Sequence, residues 1–158
     1  MEDTYKNYIE ELFNENKDEI IACSSNDTYK DALESIFNNA LFEVTWFIED
    51  EISMENVFNR KIADAIIKFL DSGRKFNLYI NKRYPDGIFG QFRYSLIDRY
   101  PNNFLYKKTS GTVNSEGKPC EYIVFDKKGY RFKPDAKKAS AIFSVNDKEF
   151  ALRLSKIF

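Results

Sequence analysis

The chain has 158 residues, 43% hydrophobic and 16% aromatic, which is the length of one ordinary domain with enough apolar material for a single sizeable core. A net charge of −1 with no histidine excludes imidazole catalysis, Ser-His and Cys-His nucleophiles, and every zinc site that needs a histidine. Two cysteines, Cys23 and Cys120, cannot make a four-cysteine site, and the lack of a secretory signal, lipidation motif or long apolar run fits reduced thiols in a cytoplasmic protein with no membrane partner.

The small net charge conceals a segregation. Residues 1–55 hold 15 Asp and Glu against 3 Lys and Arg, while residues 56–158 hold 10 against 21. Three arrangements are consistent with this: two solvated faces, an acidic helical segment paired with a basic body or a second subunit, or a basic surface that meets an anionic partner.

Tyr5, Tyr8, Ile9, Leu12 and Phe13 fall on one face of a helix between Asp3 and Asn16, capped by Asp3 or Thr4. Ile20 to Cys23 is too short for period to separate strand from helical turn, and the flanking polar residues favour strand. Thr28 with Asp31 reads as a cap, and Leu33, Ile36, Phe37 and Ala40 mark a helix ending at Asn38-Asn39. Leu41 to Ile48, LFEVTWFI, has the β-branched and aromatic content of a central strand buried on both faces, closed by Glu49-Asp50-Glu51. Ser53 is placed to cap the next helix, whose apolar face runs from Val57 to Leu70 before a stop at Gly73. Phe76 to Ile80 is a second strand, and strand-helix-strand at this spacing predicts a parallel βαβ unit.

After the Tyr84-Pro85-Asp86-Gly87 turn, Phe89, Phe92, Leu96 and Ile97 mark another helix, and then the pattern changes to consecutive strands. Phe104 to Val113 is expected to pair with Cys120 to Asp126, and that strand with Tyr130 to Lys133 across Asp126-Lys127-Lys128-Gly129, with Gly129 taking the positive φ of the turn. A strand at Ala141 to Val145 and a helix carrying Phe150, Leu154 and Phe158, opened by Asn146 with Glu149, close the chain. The reading is α+β with an α/β start: a mixed sheet flanked by helices, one domain over 1–158, in which an acidic helical segment (1–26) packs on a core (28–158).

Glu49 and Asp50 end a parallel strand, where carboxylates can hold a metal, and Asp86 and Glu121 are available to join them; charges also end strands without further purpose. Lys82 and Arg83, with Arg131, Lys133, Lys137 and Lys138, make a candidate anion or nucleic-acid surface, and Tyr79, Tyr84, Tyr106 and Tyr130 candidate stacking faces beside the alternative of core packing. Trp46 reads as core, or as the wall of a pocket near its strand's end. No cofactor motif is present.

The element order, and the closing segment Ser140 to Phe158, SAIFSVNDKEFALRLSKIF, resemble one half of a phospholipase D-like fold over roughly Thr28 to Phe158. That family's signature is His-x-Lys, four residues, then Asp. Counted back from Asp126 in PCEYIVFD, the histidine position is Pro119 and the lysine position Glu121, so only the aspartate matches. Ser144-x-Asn146 lies too far from Asp126 to serve as the family's Ser-x-Asn element. The resemblance implies a degenerate member that keeps the scaffold without phosphohistidine chemistry. Such a member is expected to act as a binding or regulatory module in a prokaryotic cytoplasm, and to be a homodimer because family halves pair about a two-fold axis. The residues leave two alternatives, a metal-dependent phosphodiesterase or nuclease using carboxylates, and a nucleic-acid-binding module using the basic C-terminal half.

Overall fold

A computed structural model of the chain describes residues 4–114 and 116–156. Its frame is a seven-stranded mixed sheet in the order β1-β7-β6-β5-β2-β3-β4. The strands are β1 (Ile21–Ala22), β2 (Glu43–Asp50), β3 (Lys75–Lys82), β4 (Phe104–Lys108), β5 (Glu121–Phe125), β6 (Gly129–Lys133) and β7 (Ile142–Ser144). The helices are α1 (Thr4–Glu15), α2 (Asn26–Asn39), α3 (Arg60–Asp71), α4 (Ile88–Arg99) and α5 (Lys148–Ser155), with a 3₁₀ helix at Glu51–Asn56. This is the α+β architecture expected, including a strand in the Ile20 to Cys23 run.

Alternation along β2 divides the core. Val44, Trp46 and Ile48 face the cluster built with α1 to α4, whereas Phe47 joins Tyr122, Val124 and Tyr130 under Ala151 and Leu154 of α5. α1 contributes Ile9 and Leu12, both fully buried, to the first cluster. A buried ion pair, Arg93 to Glu51, ties α4 to the 3₁₀ helix, with the guanidinium over the Tyr106 ring. Among the described residues it is also the one ion pair joining residues 1–55 to the rest.

Several boundaries differ from expectation. β2 begins two residues late, because the Asp126 carboxylate binds the N–H groups of Leu41, Phe42 and Glu43 and turns Leu41 and Phe42 outward; the strand then runs on through Glu49 and Asp50. Ser25, not Thr28, caps α2; Thr28 is the reciprocal partner in its capping box. Asn59, not Ser53, caps α3, because the 3₁₀ helix intervenes with Asp50 at its start. Asp147 rather than Asn146 caps α5. The Asp3 cap and the Phe158 contact lie outside the described residues.

The largest correction concerns the strand after α4. β4 does not pair with β5; it lies parallel to β3, with Phe76 opposite Phe104 and Leu78 opposite Tyr106. The cause is the side chains it carries: Phe104 and Tyr106 pack on the helical face, so the strand adds to the parallel edge, and beyond it Val113 bridges Pro119 in isolation. β5 is free to pair antiparallel with both β2 and β6. In the β5–β6 turn the positive φ values belong to Asp126 and Lys127, not to Gly129. Gly129 is required for space, since a Cβ there would stand 2.2 Å from the Phe125 ring.

Candidate functional site

β2 and β3 run parallel and β5 antiparallel beside β2, so the carboxyl ends of the first two meet the amino end of the third, where the sheet changes sense. β6 ends at the same edge, because Glu121 at the start of β5 is paired with Lys133 at the end of β6. A cleft opens there as two adjoining hollows. One, of about 220 Å³, is lined by Glu49, Asp50, Ser53, Lys82, Pro119, Glu121, Lys133, Ala136 and Lys137. The other, of about 210 Å³, shares Ser53, Glu121, Lys133 and Lys137 and adds the start of α2, Tyr29, Arg131 and Lys138.

Most of the residues singled out in the sequence therefore converge, although they span Glu49 to Lys138. Three do not. Arg83 is exposed in the turn after β3 and lines neither hollow. Trp46 is core: it is 1% exposed and its indole N–H donates to the Tyr29 hydroxyl. Asp126 lies at the far end of β5, occupied with the backbone of β2. The four candidate stacking tyrosines are elsewhere too, with Tyr130 buried and donating to Asp147 and Tyr106 beneath Arg93. The aromatic wall of the cleft is Tyr29, whose hydroxyl burial pushes up, against the opposing pull of Arg131.

The carboxylates on the cleft are committed. Glu121, 6% exposed, accepts the Glu49 N–H at 2.9 Å; burial raises its carboxyl above the usual range, opposed by that hydrogen bond and by the charges of Lys133 and Arg131. Glu49 is buried and receives the Asn81 amide on both oxygens, and Asp50 caps the 3₁₀ helix. Among the described residues no three His, Cys, Asp or Glu side chains form a group able to hold a metal. Glu49 and Asp50 are neighbours on one strand, so their side chains leave it on opposite faces.

Sequence reasoning missed the start of α2, with Ser24, Ser25 and Asn26 on the cleft, and it missed Asn81, which fixes Glu49. The Ser25-x-x-Thr28 capping box was the available signal for the first. For Asn81 there was none, because its partner is reached only through strand pairing.

Neither a protein-family model nor a curated protein matches the sequence. Solved structures do match the fold. TrmBL2, described as an archaeal chromatin protein with a novel mode of DNA binding, superposes with a TM-score of 0.60 at 14% identity, over 96% of this chain. This chain spans 58% of the TrmBL2 chain. NucT from Helicobacter pylori superposes at 0.55 with 18% identity, covering 88% of this chain and 91% of its own. Nuc from Salmonella typhimurium, a phospholipase D family member, does so at 0.56 with 9% identity, covering 87% and 88%. The fold is phospholipase D-like, and at these identities the likeness shows fold alone.

Proposed function

We propose that the chain is a catalytically inactive phospholipase D-like domain that serves as a binding or regulatory module, taking an anionic partner into the cleft. The observation that carries this reading is the placement of Pro119 and Glu121 on that cleft. They stand where the resemblance puts a histidine and a lysine, and Lys82, Lys133 and Lys137 still surround them. Proline supplies no nucleophile, and a carboxylate beside a transferring phosphate opposes its approach instead of neutralising it. The cationic rim is what a phosphate-bearing ligand needs for binding without turnover.

Incubation with bis-p-nitrophenyl phosphate and with plasmid DNA, with and without divalent cations, is expected to give no hydrolysis above background. Turnover that disappears in Glu121→Gln would sink the inactive reading and revive a carboxylate-dependent hydrolase. The arrangement gives that alternative little support, because Glu49, Asp50 and Glu121 each hold a backbone or side-chain N–H of the fold.

Nucleic acid is the favoured anionic partner, on two grounds: the fold likeness to a DNA-binding chromatin protein covers nearly the whole chain, and Lys82, Lys133 and Lys137 line the cleft outside any ion pair among the described residues. Binding should fall steeply with salt, and a salt-independent affinity would count against it. We further take the protein to be a homodimer, with residues 1–26 part of one domain with 28–158 since α1 supplies core residues. α5 covers the second sheet face along β5 and β6, leaving a hollow of about 210 Å³ lined by Thr45, Tyr79, Tyr122 and Lys127. Light scattering at low and high salt tests the dimer, and a monomer at both would end that proposal. No helix among the described residues is long and apolar enough to cross a membrane.

A further inference from the structure

Arg131 is a cation in an unusual position. It is 5% exposed, its Nε donates to the Cys23 thiol at 3.3 Å and its Nη2 to the Cys23 carbonyl at 3.0 Å, and its guanidinium carbon lies 3.6 Å from the centre of the Tyr29 ring. No ion pair among the described residues includes it. Glu121 feels its charge across the cleft without pairing with it, and no hydrogen bond from Nη1 is present among the described residues. Buried charges are ordinarily matched by a partner, because removing an ion from water is costly. Here Arg131 lines the 210 Å³ hollow together with Glu121, Ser53, Lys133, Lys137, Lys138 and the first residues of α2. α2 is 14 residues long, and its amino end adds the positive end of a helix dipole.

We propose that this hollow binds a terminal phosphate monoester, with Arg131 at its floor and Lys133 and Lys137 at its mouth. This rests on the reading of the cleft as an anion site and names the chemical group it takes. A recessed guanidinium selects an end over a mid-chain phosphodiester, because a diester is tied on both sides to nucleotides that must stay outside a hollow of this volume. A monoester ends at its phosphate, carries up to two charges, and offers a planar fork of donors three acceptor oxygens. Glu121, the acid facing the site, opposes binding when ionised and accepts a hydrogen bond from a protonated phosphate oxygen or a sugar hydroxyl.

The experiment compares a 3′-fluorescein single-stranded 12-mer with and without a 5′-phosphate by anisotropy at fixed salt. The phosphorylated strand is expected to bind about tenfold tighter, matching one charge-assisted bidentate contact. Arg131→Met should erase the preference. Since that variant alters a buried network, Lys133→Gln/Lys137→Gln, which leaves the network intact, provides the second arm and should reduce the preference several-fold with an unchanged melting temperature. Equal affinity for the two strands overturns the monoester site while leaving salt-dependent strand binding to support the cleft. Binding of neither strand overturns both. Competition by inorganic phosphate and by AMP separates the sources: displacement by either shows that phosphate is read whatever carries it, and displacement by phosphorylated strand alone places the ligand at a nucleic-acid end.

Discussion

β5 ends in two carboxylates used in opposite ways. Asp126, half-exposed, takes the N–H groups of Leu41, Phe42 and Glu43 at the entry of β2, and Glu121, buried, takes the N–H of Glu49 near its exit. The same group thus clamps the same strand at both ends. At the first end three N–H donors meet a half-exposed carboxylate, whereas at the second burial disfavours the charged form against the opposing pull of Lys133 and Arg131. A carboxylate that serves only the fold belongs at the first kind of place. One whose charged form is disfavoured by burial beside a cationic rim marks the second as the site.

The largest effect separating the ends should come from Asp126→Ala, which leaves three amides without their acceptor and places an alanine at a φ of 54°. A loss of about 3 kcal/mol is expected, with a fall of roughly 10 °C in melting temperature and anion affinity per folded molecule unchanged. Asp126→Asn, which tolerates the left-handed conformation, should lose about half as much. Gly129→Ala comes next, at about 2 kcal/mol by denaturant titration, since the new methyl would meet the Phe125 ring, which is itself packed in the core.

Glu121→Gln should act in the reverse sense. A carboxyl raised in the folded state leaves the fold unpenalised below the unfolded value, near ~4.3, and penalised fully above the folded one. The variant is therefore expected to gain stability over the parent at pH 8 and none at pH 4, read from urea midpoints. For the same reason polyanion affinity of the parent protein should rise as the pH drops through that window, and a flat profile would remove Glu121 from the cleft's electrostatics. The smallest effect is in salt dependence. Lys133→Gln should lower the slope of log affinity against log salt by about 1, while Lys127→Gln, at the Asp126 end, should leave it unchanged.

How far these two ends could be read from the amino-acid sequence follows from how local their causes are. The hairpin was legible because a run from Tyr122 to Phe125, a polar turn and a resumed alternation are all local. The position of Gly129 was legible, but its reason was not, because Phe125 folds back over the turn only in three dimensions. β4 was misplaced because strand pairing depends on which face Phe104 and Tyr106 find, and short apolar runs do not say which neighbour they will take. For the cleft, Lys82 was legible as chemistry at a strand end, and Glu121, Arg131 and Lys133 as charged candidates in the hairpin. The role of Asp126 was not, since its donors lie more than eighty residues away in the chain.

β2 has a ladder on each side, parallel with β3 and antiparallel with β5, and a carboxylate closing each end, whereas β4 has a ladder on one side only. In hydrogen exchange the amides of Val44 to Ile48 should accordingly be released only by global unfolding, and those of β4 by local fraying. The cleft is thus hinged on the last strand to open, and it can stay assembled while the far edge of the sheet breathes.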